Sequence, residues 1–580
     1  MAIGRSVLEE HDLPGVLAPL DGVSHVRGAT DVPLAEITLS ELLDRAVARF
    51  GKREAAIFCA HNVRWTWSQF KEEVDGFARG LALLGLEKGD RVGIWSPNRP
   101  EWIVAQFATA RLGIILVNIN PAYRLIELEY ALNKVGCRAL ISAEHFKNSD
   151  YLAMLRELAP ELDLKGATRL RAKRLPQLEW VIRLGDTRTP GMLNYTDVLR
   201  QGKSDLTFDL DAISAALMAY EPINIQFTSG TTGHPKGATL THFNIVNNAR
   251  FIAKAMKFDE NDRLCIPVPL YHCFGMVIGV LVCAATGAAM VFPSEGFEPI
   301  ATLQSIASER CTAVHGVPTM FIAQLEHPEF SGFDLSSLRT GVMAGSPCPI
   351  QTMKRVVAEM HMREVTICYG MTETSPVSFQ SSTTDPLEKR VATVGRVQPH
   401  LEVKIVDASD RAVPVGVAGE LCTRGYAVMR GYWEDEARTR EAIVDGWMHT
   451  GDLATLDEQG YCNIVGRVKD MVIRGGENVY PREVEEFLFT HAKVQTVQVF
   501  GIPDEKYGEE LCAWIILKAG CESTPAEIQE FCKGQIAHFK IPRHVRFVSE
   551  LPMTVTGKAQ KFLMRKAMVE ELGISEIKTA

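Results

Sequence analysis

Apolar residues change their period several times along the chain, and each change marks an element. Leu39, Leu42, Leu43, Ala46, Val47 and Phe50 recur at helical spacing from Thr38 until Gly51 stops them, which predicts an amphipathic helix. Residues 55–60 read as a short strand, 68–84 as a helix closed by Gly85, and 90–95 as a strand. Ser96, Pro97 and Asn98 make a turn, and Pro100 suits the first turn of a helix carrying Trp102, Val104, Phe107 and Ala110. Strand, helix and strand follow at 114–119, 124–135 and 139–142. Near-continuous apolar strands alternating with helices predict an α/β fold, its parallel sheets covered on both faces.

Residues 145–222 are less patterned, and the basic segment 165–174 reads as a solvated face. A helix is expected from Asn244 to about Met256, capped by Thr241 or His242. Strands at 313–316, 338–344 and 364–369 follow, the last two delivering polar motifs at their C-terminal ends. Ligands of open parallel sheets bind at that edge. From about Val391 short alternating strands at 401–406, 419–423 and 461–465 predict a β-rich subdomain. Beyond Arg467 the expected order is strand, helix, strand, strand, helix, strand, helix, with Pro481 and Pro525 opening helices. That predicts a separate α+β unit over residues 470–580, after a large N-terminal domain over 1–466.

Composition narrows the class of function. A chain of 580 residues exceeds one ordinary core. A net charge of −9 without a long basic run argues against nucleic-acid binding. Thirteen cysteines without a C-x-x-C pair suit reduced thiols in a cytoplasmic setting, not a disulfide framework or a zinc site. The N-terminal residues hold acids and prolines where a signal peptide needs an apolar run. The apolar stretch 275–292 is diluted by Gly and Ala and fits a buried helix and strand better than a membrane span.

Candidate chemistry concentrates after the alternating strand Ile223, Ile225, Phe227. There follow Thr228, Ser229, Gly230, Thr231, Thr232, Gly233, His234, Pro235, Lys236 and Gly237. No such segment packs a core. Its glycines let backbone N–H groups turn inward, its hydroxyls donate, and Lys236 adds a point charge suited to phosphate. A polar surface turn between two strands is the competing reading. The spacing is not that of G-x-x-x-x-G-K-[ST], because Gly follows the Lys.

The ten residues resemble the phosphate-loop signature T-S-G-T-T-G-x-P-K-G of the adenylate-forming enzymes, which include acyl-CoA synthetases, peptide-synthetase adenylation domains and luciferases. Further segments in the same order resemble that superfamily from about Ile37 to Lys558. Tyr369, Gly370, Met371, Thr372 and Glu373 are similar to its Y-G-x-T-E segment. The resemblance implies that Tyr369 stacks near adenine, Thr372 meets the α-phosphate, and Glu373, with Thr231, holds Mg²⁺. Gly345 and Ser346 resemble the other adenine-side segment. Asp452, in G-W-M-H-T-G-D-L, resembles the carboxylate that reads both ribose hydroxyls, and Arg467 the arginine beside it. Lys469 falls at the family's hinge, placed here at 467–469, which makes the unit at 470–580 a mobile domain. Arg474, Gly475, Gly476, Glu477 and Asn478 resemble the loop lining the pantetheine tunnel, although a hairpin turn fits the same residues. Lys558, in P-x-T-x-T-G-K, resembles the adenylation lysine.

What the resemblance implies is an acid–thiol ligase. It takes ATP, Mg²⁺ and coenzyme A, forms an acyl-adenylate with release of pyrophosphate, and passes the acyl group to the thiol; it admits a homodimer. The catalytic set would be Lys558, Thr231, Glu373 and His272. His272 lies in Y-H-C-F-G-M, which lacks the acid that amino-acid-activating relatives carry; a core histidine is the alternative. Apolar Met276, Val277, Ile278, Val280 and Leu281 favour a fatty acid, and R-G-G-E-N-V-Y-P is closest to the medium-chain acyl-CoA synthetases. An aryl, short-chain or sulfur-containing acid, or a luciferase-like oxygenase, would share the same adenylation residues.

Overall fold

A computed structural model of the chain describes residues 17–19, 21–164, 169–228, 235–346, 348–475, 477–504, 506–554 and 557–574. The first predicted helix runs Leu39–Phe50 and buries Leu39, Leu42, Leu43, Ala46 and Phe50. Thr38 caps it, its hydroxyl accepting from Glu41 N–H at 3.1 Å; losing such a cap costs about 1 kcal/mol. The next helix, Trp67–Leu83, starts one residue earlier than expected because Thr66 and Gln69 form a reciprocal capping box.

Two large sheets carry the N-terminal part. In an eight-stranded sheet, Arg91–Trp95, Ile115–Asn118, Ala139–Ser142 and Trp180–Arg183 run parallel, and Pro222–Thr228 joins parallel to Ile115–Asn118. Pro222–Thr228 also pairs antiparallel with Lys236–Thr241, so the Thr228–Gly237 segment bridges two neighbouring strands. In a nine-stranded sheet, Thr340–Ala344 and Glu364–Gly370 are parallel neighbours, with Ala344 opposite Cys368. Both end at the same edge. A six-stranded sheet includes Leu401–Val406, Gly419–Gly425 and Trp447–Leu456, which is the β-rich subdomain expected from 391 onward.

The stretch 275–292 is buried throughout, as Phe274–Leu281 in π-helical winding, the helix Val282–Thr286 and the strand Ala289–Phe292. Among the described residues no helix is long and apolar enough to cross a membrane. Within 145–222 the described residues hold more regular structure than their pattern predicts: helices Tyr151–Leu158 and Tyr195–Ser204 form there, capped by Asp150 and Asn194, while residues 165–168 of the basic segment lie outside the described residues. The C-terminal residues build a five-stranded sheet with its own core of Val472, Leu488, Val497, Leu511, Ile515 and Ile528. It opens with two short strands rather than one, Val472–Arg474 and Glu477–Val479, paired antiparallel as a hairpin.

Candidate active site

Strand ends and one loop from the C-terminal unit converge at the shared edge of the sheets. Tyr369 stands near the end of its strand, and its hydroxyl donates to Asp452 Oδ2 at 2.6 Å. Asp452 and Arg467 are direct cross-strand partners on Trp447–Leu456 and Cys462–Arg467. Arg467 Nε donates to Asp452 Oδ1 at 3.1 Å, so each carboxylate oxygen has one partner. Burial and the Asp452 carboxylate raise the Tyr369 phenol, which stays protonated and donating.

Just beyond Tyr369 the chain makes a tight turn, Thr372–Thr374, that buries Thr372 and Glu373. Glu373 Oε1 accepts from Thr228 Oγ1 and from Tyr432 Oη, each at 3.0 Å. Its backbone carbonyl accepts from Met429 N–H at 2.8 Å. Lys236 Nζ lies 4.5 Å from the Tyr432 ring centre, on its face. Among the described residues, no hydrogen bond falls on Glu373 Oε2. A free carboxylate oxygen beside a threonine hydroxyl is a hard donor pair of the kind Mg²⁺ takes.

Lys558 enters this space from the C-terminal unit. Its loop is closed by Thr554, whose hydroxyl accepts from Lys558 N–H at 2.9 Å and whose N–H donates to Lys558 O at 2.7 Å. Gly557, at φ +77°, approaches the N-terminal part so closely that a Cβ there would lie 2.8 Å from Val317 Cγ2. At the other methyl of Val317, a Cβ at Gly345, with φ at +90°, would lie 3.0 Å from Cγ1. One side chain therefore bounds both the lysine loop and the turn ending Thr340–Ala344. The ammonium of Lys558 feels Arg467, Cys273, Asp452 and Glu373; burial and Arg467 lower its pKa from the ordinary value, against the pull of the thiol and the acids.

His272 is half-buried next to this group, and burial and Lys558 lower its pKa to about 3. Its Nδ1 accepts from Phe274 N–H at 3.1 Å, which assigns the proton of the neutral ring to Nε2. Cys273 Sγ is 3.8 Å from Thr372 Oγ1, and burial pushes its thiol up to about 12, so it stays protonated. Beside the lysine loop a cavity of about 670 Å³ is lined by Tyr271, Thr319 and Met320 from one side and Leu551, Met553 and Gly557 from the other. Met276, Val277, Ile278, Val280 and Leu281, whose apolar character favours a fatty acid, are buried in the core and are not among the residues lining this cavity.

Of the residues singled out in the sequence, Thr228, Lys236, His272, Gly345, Tyr369, Gly370, Thr372, Glu373, Asp452, Arg467 and Lys558 gather at this edge, and Ser346 follows Gly345 there. Ser229, Gly230, Thr231, Thr232, Gly233 and Gly476 lie outside the described residues. Lys469 is exposed, two residues beyond Arg467. Gly475 is not in the cluster: its N–H donates to Tyr507 O at 2.8 Å, and the preceding Arg474 makes a two-pronged pair with buried Glu510 at 2.8 and 2.7 Å. Sequence reasoning passed over Tyr432 and Val317. Neither sits in a segment whose composition signals chemistry.

All thirteen cysteines are free thiols. Asp410, Cys422 and His449 nevertheless group with ligand atoms within 4.8 Å of one another. Lys404 pairs with Asp410 at 2.8 Å and Glu420 with His449 at 3.1 Å, so that grouping is matched internally.

Comparison with known proteins places this geometry. The family described as AMP-binding enzyme matches residues 43–433, and the AMP-binding enzyme C-terminal domain matches residues 483–558. The chain is 47% identical over 555 residues to "Medium-chain acyl-CoA ligase ACSF2, mitochondrial" of Danio rerio, covering 95% of this chain and 91% of that one. It is 47% identical over 544 residues to "Putative acyl-CoA synthetase YngI" of Bacillus subtilis (strain 168), covering 93% and 99%. Among solved structures, the anthranilate CoA ligase AuaEII in complex with anthranoyl-AMP superposes with a TM-score of 0.84 at 27% identity, covering 94% of this chain and 99% of that one.

Proposed function

We propose a medium-chain fatty acid as the acid activated by this chain, which belongs to the AMP-binding enzyme family and is an ATP-dependent, AMP-forming acyl-CoA synthetase. The observation that carries the assignment of roles is the convergence of Lys558, the Asp452–Arg467 pair and Glu373 on one spot from separate parts of the chain. A medium-chain acid is supported by the name of the Danio rerio relative, a medium-chain acyl-CoA ligase, and the absence of an acid in the segment 271–276 disfavours an amino acid.

In this reading the carboxylate oxygen of the acid attacks the α-phosphorus of ATP. The bond to the bridging oxygen breaks, and pyrophosphate leaves with that electron pair. Asp452 and Arg467 hold the ribose, while Tyr369, Gly370, Gly345 and Ser346 bound the adenine. Thr372 meets the α-phosphate, and the segment from Thr228 through Ser229, Gly230, Thr231, Thr232 and Gly233 to Lys236 grips the departing phosphates. Lys558 places positive charge where negative charge grows in the transition state. Glu373 and Thr231 would hold Mg²⁺, which when bound supplies further charge neutralisation at the phosphate oxygens. Neutral His272 carries its proton on Nε2 and orients the acid or the adenylate by donation, not by charge.

The thiol of coenzyme A then attacks the acyl carbon, and the C–O bond to AMP breaks. Residues 470–580 turn about 467–469, with Lys469 as hinge, and Gly475 and Gly476 come to line the thiol arm. Free thiols throughout support a reducing compartment, and we place the enzyme in the cytoplasm; cell fractionation tests that placement.

AMP release measured with acids from acetate to palmitate, with aryl and sulfur-containing acids alongside, tests the substrate. Octanoate and decanoate are expected to give the highest kcat/KM, and coenzyme A to raise turnover. A maximum on acetate, palmitate or an aryl acid would overturn the medium-chain assignment.

A further inference from the structure

Tyr432 arrives at the site from a segment that nothing in the sequence marks for chemistry. The short strand Gly431–Tyr432 pairs antiparallel with Lys236–Thr241, setting Tyr432 opposite Ala238. Lys236 is two residues from Ala238 on the same face, which makes it the diagonal neighbour of Tyr432. The ammonium accordingly rests 4.5 Å from the ring centre. From the same ring the hydroxyl extends to Glu373 Oε1 at 3.0 Å, across 59 residues of sequence.

The backbone holds the ring in a fixed place. Tyr432 N–H donates to Thr439 Oγ1 at 2.9 Å, and Trp433 N–H donates to Gly237 O at 2.8 Å. Gly431, at φ +144°, packs so closely on Thr439 that a Cβ would lie 2.9 Å from its Cγ2. Tyr432 itself is buried. A side chain anchored on both flanks and committed at both its face and its tip is suited to fix its partners, not to swing.

We propose that Tyr432 is a positioning residue for the metal–phosphate end of the nucleotide: its hydroxyl fixes Glu373 Oε1, leaving Oε2 toward the ligand, and its ring face seats Lys236. Thr228 and Tyr432 reach Oε1 from two different strands, so rotation of the carboxylate would break two bonds at once. Tyr432 touches no reacting atom. It acts through Glu373 and Lys236, and the two connections separate by mutation: Tyr432→Phe removes the hydroxyl and keeps the ring, whereas Tyr432→Leu removes both.

The inference rests on the reading of Glu373 as the metal-side carboxylate, and the test tells the two apart. Binding of Mn²⁺ with the α,β-methylene analogue of ATP is followed by loss of the free Mn²⁺ resonance in electron paramagnetic resonance. Binding of the analogue alone is followed by calorimetry in chelator, and thermal melting checks the fold. Tyr432→Phe is expected to weaken Mn²⁺ binding about tenfold, as for loss of a hydrogen bond to a charged group, with metal-free nucleotide affinity and melting unchanged. Tyr432→Leu is expected also to weaken metal-free nucleotide, because Lys236 loses its seat. If Glu373→Gln loses Mn²⁺ affinity while Tyr432→Phe keeps it, the positioning role of Tyr432 is wrong. If Glu373→Gln keeps Mn²⁺ affinity as well, the metal reading of Glu373 fails and takes the inference with it.

Discussion

Gly557 and Gly475 both hold left-handed backbone in the C-terminal unit, with φ of +77° and +60°, yet they face different neighbours. Gly557 presses on Val317 and Thr319 of the N-terminal part, and Lys558 beside it feels Asp452 and Glu373. Gly475 packs on Tyr507 of its own unit, behind the Arg474–Glu510 pair. The difference teaches which half of the chemistry this arrangement serves. The lysine is delivered and the hairpin is withheld, so the structure corresponds to the adenylating geometry in our proposal. In that proposal a second arrangement exchanges them.

The sharpest way to break that contrast is to remove the delivered group. Lys558→Ala is expected to slow adenylation by roughly a hundred- to a thousandfold, the typical cost of losing one preorganised donor. Thioester formation from supplied acyl-adenylate should be largely spared, and equal loss in both half-reactions, each measured in single turnover, would refute the division. Next in size are the paired substitutions Gly557→Ala and Gly475→Ala. Left-handed backbone costs an L-residue about 1–2 kcal/mol, or roughly tenfold. Gly557→Ala should slow adenylation by at least that much, since the new methyl also meets Val317, and Gly475→Ala should slow only the thiol step. The same step slowed by both would erase the contrast.

The smallest effect is on pH dependence. Burial and Arg467 hold Lys558 below the ordinary lysine value of 10.5, so its ammonium loses a proton earlier as pH rises. Adenylation should therefore fall on the alkaline side below that value, and the limb should vanish for the thiol step. His272, lowered to about 3, should add no acid limb near neutrality. A pH–rate profile for each half-reaction checks both points.

Much of the fold is visible in the sequence because its signals are local. The helix Leu39–Phe50 has a cap, an apolar stripe and a glycine stop within a few turns, and Ala139–Ser142 is a short apolar run between polar flanks. Less visible was Lys236–Thr241, whose alternation is weak and whose strand character comes from pairing on both edges. Tyr151–Leu158 is short, and its Tyr151, Leu152, Leu155 and Leu158 need neighbouring elements before their spacing means anything. At the site, residues carried by contiguous strings such as Y-G-M-T-E could be read directly. Tyr432 and Val317 could not, since their partners are far along the chain and their side chains are ordinary core types. The apolar run after His272 is ambiguous for a related reason: hydrophobicity signals burial, and core packing satisfies it as well as a ligand does.

Val317 also works as a spacer shared by two close fits. The turn at Gly345 and the loop at Gly557 come to rest on its two methyl groups, so its volume sets a single clearance for both. A larger residue there is expected to crowd the lysine loop and the turn at Gly345 together. Tolerance on one side is borrowed from the other. Room for a larger side chain at this position would have to come from two distant segments at once.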